Sequence, residues 1–181
     1  MLNSKNKMIW TDKPKVSYNS LVYIINQYYL KVDEDKDKMQ EFGEKIGPRI
    51  YESIHFQRER PTKRSLKILD MMKFIAQNLW KFLFEKEADS LETFESDKRR
   101  HPHTKEVLTE YVIYDYDPVY LSYSHSNTAL IYYYAGILKG IFNYCGFDCD
   151  VGAQVVKGGG KEKIKCAYVI KFEYYVLDRD N

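Results

Sequence analysis

The sequence predicts a two-layer α+β fold, in which about four helices pack on one side of a twisted antiparallel sheet of about four strands. Helical periodicity fills the first half of the chain, and strand patterns with one inserted helix fill the second. The chain has 181 residues, of which 44% are hydrophobic, so it can bury one hydrophobic core without disulfide bonds or a structural metal. We therefore predict a single domain over residues 17–178, preceded by a flexible segment over residues 1–16.

Two helices are predicted in the first third of the chain. The first begins after Ser17, a favourable N-cap residue, and covers Tyr18 to about Leu30, where apolar residues recur at helical spacing. The second starts in a charged turn and keeps a helical period as far as Ile54. Pro48 lies inside this period, and proline lacks an amide hydrogen and restricts the preceding residue, Gly47. We therefore expect a kink or a break at this point.

The third predicted helix ends at Phe84 and follows a charged linker over residues 57–64. It is apolar on nearly all sides, which is typical of a helix that is buried on two faces or packs on a partner. Candidates for a partner interface on the second and third helices are Ile46, Ile50, Ile54, Leu69, Met72, Phe74, Ile75, Trp80 and Phe84. Burial in the domain's own core produces the same pattern, so both interpretations stay open.

The second half of the chain predicts strands and one more helix. The charged segment 85–105 predicts a short helical turn followed by a mobile loop. Beyond it the apolar period becomes that of strands, which we predict over residues 110–116 and 119–123. A fourth helix is predicted from Thr128 to Tyr144, and Gly146 is expected to end it as a left-handed C-cap.

The fourth helix and the end of the chain indicate how the layers pack. Small residues on this helix, among them Gly136 and Gly140, permit the close approach of a neighbouring element. The strand patterns at 149–156 and 163–175 predict a hairpin, which a glycine-rich turn at 157–161 closes. Apolar and polar residues alternate along the last strand, so we expect one buried and one partly exposed face.

Composition and charge exclude several classes of protein. The net charge of +2 argues against a dedicated nucleic-acid binder, which normally has a strong basic excess. Three cysteines, an odd number with no signal peptide, favour a reducing cytosolic compartment over a disulfide framework. The uncharged stretch 118–138 is long enough to cross a bilayer, but polar residues in its middle argue against insertion. Any membrane contact is therefore expected to be peripheral, from the cytosolic side.

No motif in the sequence indicates catalysis, a metal or a cofactor, and we predict none of them. His101 and His103 have no further ligands at metal-binding spacing, so a solvated loop is favoured over a metal site. The cysteines lie among core residues and are interpreted as buried packing side chains. If the protein were an enzyme of an unrecognised type, the grouping to inspect would be His125 with Asp115 or Asp117.

Several segments carry a more specific pattern. They are GEKIGPRIYESI at 43–54, LDMMKFIAQNLWKFLFEKEADSLE at 69–92, AGI at 135–137, GFDCDV at 146–151 and IKF at 170–172. Together they resemble the small core subunits of the transport protein particle, TRAPP, and most of all its subunit-five type. The W-K-x-L-F-x-K-x-A-D-x-L pattern in the longest segment is specific. The likeness covers roughly residues 17–178, and its order of elements agrees with the pattern above.

The resemblance implies a non-enzymatic core subunit of a vesicle-tethering complex acting between the endoplasmic reticulum and the Golgi apparatus. Members of this family pair with other TRAPP core subunits through their helical layers into heterodimers, which line up into a rod. The assembled rod acts as a nucleotide exchange factor for a Rab/Ypt-type GTPase. The resemblance thus implies a cytoplasmic protein that is peripherally associated with Golgi, vesicle or endoplasmic reticulum membranes. A homodimer of the isolated chain stays open.

The sequence departs from the family pattern at Pro48, in a longer loop around residues 95–106 and in a shorter segment before the fourth helix. One relative carries an acylated cysteine near the start of the third helix. Residues 62–69 of this chain contain no cysteine, so the resemblance does not extend to that modification. The alternative function is a lipid- or small-molecule-binding domain with an enclosed apolar pocket. An accessible apolar helix surface favours the scaffold, whereas an enclosed apolar cavity favours the pocket.

Overall fold

The computed structural model describes residues 18–56, 67–116, 118–122, 127–156 and 165–180. The helices are α1 (Tyr18–Lys31), α2 (Lys36–Phe56), α3 (Ile68–Phe74), α4 (Trp80–Phe84), α5 (Val119–Ser122), α6 (Asn127–Tyr144) and α7 (Tyr174–Asp180). The strands are β1 (Ser90–Arg100), β2 (Val107–Tyr116), β3 (Cys149–Val156) and β4 (Lys165–Phe172). The predicted flexible segment 1–16, linker 57–64, hairpin turn 157–161 and the residues His125 and Asp117 lie outside the described residues. None of the helices in the described ranges has the length and apolar character needed to cross a membrane.

The four strands form one antiparallel sheet in the order β1-β2-β4-β3. On β4, Cys166, Tyr168, Ile170 and Phe172 are completely buried beneath the helices, while Lys165 and Lys171, on the opposite face, are half-exposed. The predicted alternation of the last strand is therefore confirmed. The predicted α+β class, with helices on one side of an antiparallel sheet, is confirmed as well.

Three local predictions are wrong. The charged segment expected to be a turn and a loop contains β1, which pairs with β2 at the edge of the sheet. Its charged side chains fit there because an edge strand lies partly in water, where charge also discourages pairing with other chains. The strand expected over 119–123 is the short helix α5, where the Leu121 amide donates to the Pro118 carbonyl (3.0 Å). The last strand ends at Phe172, before α7, and not at Tyr175.

The third helix runs from Ile68 to Phe84, but its middle turn, Ile75–Leu79, is π-helical. A π-turn disturbs the regular ladder of helical hydrogen bonds, and here the Ala76 carbonyl accepts the amide of Ala88 from the following segment (2.8 Å). Glu85 ends the helix in the left-handed conformation. These features turn the chain back toward β1.

The helices α2 and α6 cross through four glycines that leave no side chain between them. A Cβ added to Gly43, Gly47, Gly136 or Gly140 would lie less than 3.0 Å from a backbone carbonyl oxygen of the other helix. In each helix the two glycines are four residues apart and therefore lie on one face. This is the close approach that the small residues of the fourth helix predicted, and α2 is the element that approaches.

The crossing also accounts for Pro48. The helix α2 continues through Gly47 and Pro48, so the predicted break is wrong, while a kink stays a prediction. Because Pro48 has no amide hydrogen, the Glu44 carbonyl loses its helical donor. That oxygen lies 2.2 Å from the position that a Cβ of Gly140 would take, so a Cα hydrogen of Gly140 points toward it, as in a weak C–H···O contact. The neighbouring helix thus covers the carbonyl that proline leaves without a donor.

Gly136→Ala is expected to lower the free energy of unfolding by about 3 kcal/mol, because the new Cβ overlaps the backbone of Gln40 and forces the helices apart. Gly152→Ala is the matched control, since a Cβ there meets nothing within 4 Å. The control is expected to stay within about 1 kcal/mol of the wild type. Denaturant unfolding measures both, and equal stability of the two variants would contradict the steric role of Gly136.

Candidate partner interface

The structure separates the nine predicted interface side chains by accessibility. Five are buried in the chain itself: Ile54, Met72, Phe74, Ile75 and Trp80. Three are half-buried against the core, Ile46, Ile50 and Phe84, and only Leu69 of the nine is exposed. The chain's own core therefore accounts for the five buried side chains. A partner contact through Ile46, Ile50 and Leu69 stays a prediction.

An accessible apolar surface of the helical layer lies on α1 and was missed by sequence reasoning. Tyr23, Ile24 and Leu30 are 64%, 55% and 58% exposed. They share one side of the helix with the exposed, uncharged Gln27, and we name these four residues the α1 face. The only charged residue of α1 is Lys31, in its last turn. Protein interfaces have few charges at their centre, and on this side of α1 the exposed Lys31 lies only at the C-terminal end.

The opposite side of α1 fixes the helix to the domain. Val22, Ile25 and Tyr29 are buried in the core, and α1 packs mainly on α6. The ring of Tyr28 lies 4.6 Å from that of Phe42 on α2, so the two helices also touch. Phe42, which touches α1, is the first residue of a half-buried stripe on α2. Ile46 and Ile50 continue this stripe.

A sequence signal for the α1 face was present. Residues 21–25 and 28–30 of α1 are all apolar, more than one buried stripe requires. The third helix has the same excess of apolar residues, but there several of them pack against other elements of the chain. There, the Trp80 ring lies 5.6 Å from that of Tyr168 on the sheet, and the Phe84 ring lies 5.0 Å from that of Tyr134 on α6. The excess of apolar residues thus indicated burial on two sides for both α1 and the third helix. It did not identify α1 as the helix with one side left exposed.

The specific W-K-x-L-F-x-K-x-A-D-x-L segment builds a polar anchor around Asp115, which is completely buried on β2. The Lys86 ammonium donates to the Asp115 carboxylate and, at 3.1 Å, to Asp89. The Trp80 indole donates to the other Asp115 oxygen at 3.4 Å. Asp89 in turn accepts the Tyr116 amide (2.7 Å). The motif residues therefore fasten the end of the third helix to the sheet.

Burial raises the pKa of Asp115, and Lys86 and Trp80 oppose that effect without cancelling it. For Lys86, burial lowers the pKa, but the carboxylates of Asp115 and Asp89 outweigh burial, so its pKa lies above the ordinary value. Removing Lys86 would leave a buried carboxylate without its cation, which is a costly arrangement. The anchor is thus a structural element, and it occupies Asp115, one member of the acid–base grouping considered above.

The structure also describes the cysteines, His101 and His103. In the part of the chain that the structure describes, no three side chains of His, Cys, Asp or Glu converge as a metal ion would require. All three cysteines are buried, and none of them forms a disulfide. His101 is buried, and the solvated loop predicted for it is wrong. Its Nε2 lies 3.1 Å from the Asp178 carboxylate of α7, and its Nδ1 accepts the Thr104 amide (3.0 Å).

Comparison with known proteins gives this arrangement a context. The family model described as "Transport protein particle (TRAPP) component" matches residues 15–173. Trafficking protein particle complex subunit 5 of Dictyostelium discoideum is 34% identical over 154 residues, which cover 81% of this chain and 76% of that protein. Subunit 5 of Homo sapiens is 29% identical over 168 residues, 90% of this chain and 80% of that protein. Trafficking protein particle complex subunit 31 of Saccharomyces cerevisiae is 32% identical over 139 residues, 76% of this chain. The match spans only 45% of the yeast protein's length.

Solved structures contain the same fold. A crystal structure of a trafficking protein particle complex subunit 3 from Naegleria fowleri, covalently bound to palmitic acid, superimposes with a TM-score of 0.51. The superposition covers 86% of this chain and 94% of that one, at 11% sequence identity. At such low identity the likeness concerns the fold alone.

Lys86→Met is expected to lower the free energy of unfolding by about 3 kcal/mol at neutral pH, because it leaves Asp115 buried without its cation. The deficit relative to the wild type should shrink as the pH falls. The folded-state pKa of Asp115 is already raised by burial, and loss of the cation raises it further, so the folded variant takes up a proton and loses the unpaired charge.

The matched control is Lys81→Met, which removes an exposed lysine from the same motif and is expected to change stability by less than about 0.5 kcal/mol. Thermal or denaturant unfolding at two pH values measures both variants. A deficit of Lys86→Met that stays constant with pH would contradict the role given to Asp115.

Proposed function

The chain belongs to the TRAPP component family, and from that membership we propose that it is a non-catalytic core subunit of the TRAPP vesicle-tethering complex in transport between the endoplasmic reticulum and the Golgi apparatus. Membership of the family implies a role in this complex. We propose further that the chain acts as a scaffold in the assembly that exchanges nucleotide on a Rab/Ypt-type GTPase. In this proposal it works on the cytosolic side, peripherally on Golgi and endoplasmic reticulum membranes.

The observation that carries the proposal is the uncharged α1 face. Three large apolar side chains, Tyr23, Ile24 and Leu30, are more than half exposed on one side of one helix. Contiguous apolar surface on a soluble domain is characteristic of an interaction site. In this proposal another TRAPP core subunit covers the α1 face, with Ile46 and Ile50 of α2 at its margin. A pair of standard size would bury about 1,600 Å² in total.

The accessible position of this surface also supports one of the two functions that the sequence left open. A scaffold needs apolar side chains that a partner can reach, whereas a lipid-binding domain needs them enclosed around a cavity. The α1 face is directed outward, and α1 buries its other side on α6. The scaffold is therefore the function that the geometry of the helical layer favours.

The double substitution Tyr23→Asp and Ile24→Asp is expected to weaken pairing with another TRAPP core subunit by at least about a hundredfold, because two buried apolar contacts become charged. The expected effect on folding is small, since both side chains are exposed. Co-expression with the TRAPP core subunits of the same organism, followed by size-exclusion chromatography with light scattering, measures the pairing.

Phe82→Asp provides the matched control, since Phe82 is an aromatic residue of α4 that is also exposed and lies outside the α1 face. This variant should pair like the wild type. Normal pairing of the double variant would refute the proposed use of the α1 face.

A further inference from the structure

The two edge strands of the sheet, β1 and β3, differ in how far they resist pairing with another chain. More than half of the residues of β1 are charged, and its register with β2 is irregular between Glu95 and Arg100. Charge and irregular register both discourage the addition of a further strand. In contrast, β3 pairs with β4 without a shift in register, and its residues 151–156 include neither a charge nor a proline. Of the two edges, β3 is therefore the one suited to accept a strand.

Side chains of the helical layer cap the first part of the free edge of β3. Asn143 of α6 accepts the Cys149 amide (3.1 Å), and Gln40 of α2 donates to the Val151 carbonyl (2.9 Å). Both bonds lie within the first three residues of the strand. The chain thus satisfies the start of this edge itself.

The rest of the edge, at Ala153 and Val155, has no such cap. In an antiparallel pair, residues that bond to the partner strand alternate with residues whose amide and carbonyl point away from it. The bonds of Cys149 and Val151 show that the odd-numbered residues of β3 point away from β4. No hydrogen bond within the described part of the chain uses the outward amide or carbonyl of Ala153 or Val155. We name this uncapped stretch, residues 153–155, the β3 edge.

The two amides and two carbonyls of the β3 edge are arranged symmetrically about Gln154. A second copy of the strand, antiparallel to the first and with Gln154 opposite Gln154, places Ala153 opposite Val155 in both halves of the contact. Each of the four groups then meets a complementary group of the other copy, as in a regular antiparallel ladder. The same strand thus satisfies the edge completely.

The side chains of the β3 edge are also compatible with a second copy. Because the segment has no charge, self-pairing brings no like charges together, and like charges directly opposite each other would destabilise the contact. Gln154 is exposed, and its amide group both donates and accepts, so two facing Gln154 side chains can bond to each other. A two-fold contact of this kind closes at two chains and does not extend into a fibre.

We propose that the β3 edge joins two copies of this chain by antiparallel pairing centred on Gln154, which merges their two four-stranded sheets into one. The inference goes beyond the proposed function, because the α1 face lies in the helical layer and receives a different subunit there. Two pairs of unlike subunits can thus be linked through their sheets. The contact is short, so the isolated chains associate weakly and the link gains strength from other contacts in an assembly.

Disulfide trapping of Gln154→Cys tests the pairing in the full chain. Facing residues that do not bond to each other in an antiparallel pair have Cα atoms about 4.5 Å apart, which a disulfide can bridge. The three native cysteines are buried. Thr93→Cys is the matched control, since Thr93 is an exposed, uncharged residue on the other edge strand. Mild oxidation and non-reducing electrophoresis are expected to show at least about tenfold more covalent dimer for Gln154→Cys, because pairing raises the effective concentration of the facing thiol.

Ala153→Pro, added to Gln154→Cys, tests whether the backbone of the edge makes the contact. The Ala153 amide points away from β4, so proline leaves the β3–β4 ladder intact and removes only the outward donor. Crosslinking is expected to fall to the level of Thr93→Cys, while thermal unfolding confirms that the domain stays folded.

Charged variants test whether Gln154 faces itself, and they decide alone if Ala153→Pro unfolds. Gln154→Lys and Gln154→Glu should each lose self-association, and an equal mixture of the two should associate at least as well as the wild type, because like charges become opposite charges. Pull-down of an untagged variant by a tagged one measures the three combinations.

Equal crosslinking of Gln154→Cys and Thr93→Cys would overturn the inference, and so would self-association of Gln154→Lys that matches its association with Gln154→Glu. A photo-crosslink in the cell from position 154 to another protein, with none to a second copy, would also refute the second copy as occupant. None of these outcomes depends on the α1 face, so failure of this inference and failure of the proposed function are distinguishable.

Discussion

The backbone contact between α2 and α6 is the constraint on which the helical layer depends. Gly43 and Gly47 on one helix meet Gly136 and Gly140 on the other, and each glycine lies where a Cβ would strike a carbonyl oxygen. Two helices that carry small residues four positions apart can approach until their backbones touch. The closeness also lets α2 accommodate Pro48, because α6 covers the carbonyl that proline leaves without a donor. A larger residue at the crossing would move both helices relative to the sheet.

This crossing determines what the other surfaces of the molecule can do. While α2 lies on one side of α6 and the sheet lies beneath it, α1 also packs on α6. Since α1 directs Val22, Ile25 and Tyr29 into the core, its opposite side remains accessible to a partner. The sheet uses one face for the helices and leaves the other open, with Glu110 in a groove of about 350 Å³. The fold therefore presents two separate surfaces, one apolar and helical, the other on the sheet, where the Glu110 carboxylate lies 4.0 Å from Nη1 of Arg99.

Most of the fold could be predicted from the sequence because local patterns and long-range packing agree there. Gly146, with a φ of +80°, ends α6 as predicted, and the alternation of β4 matches its burial. Prediction failed where tertiary contact decides. The strand β1 has no apolar alternation because it lies at an edge, and only pairing with β2 defines it. Trp80 and Ile24 show why the partner interface could not be predicted from the sequence. Both belong to helices with an excess of apolar residues, but only the packing shows that Trp80 is covered and Ile24 is exposed.

The central claim is that the α1 face is covered by another TRAPP subunit in the cell, and site-specific photo-crosslinking tests it most directly. A photo-reactive phenylalanine derivative replaces Tyr23 in one sample and Phe82 in another, and the crosslinked products are identified by mass spectrometry. The account predicts a crosslink from position 23 to a single TRAPP core subunit and none from position 82. A crosslink to that subunit from position 82 alone, with position 23 remaining unreacted, would contradict it.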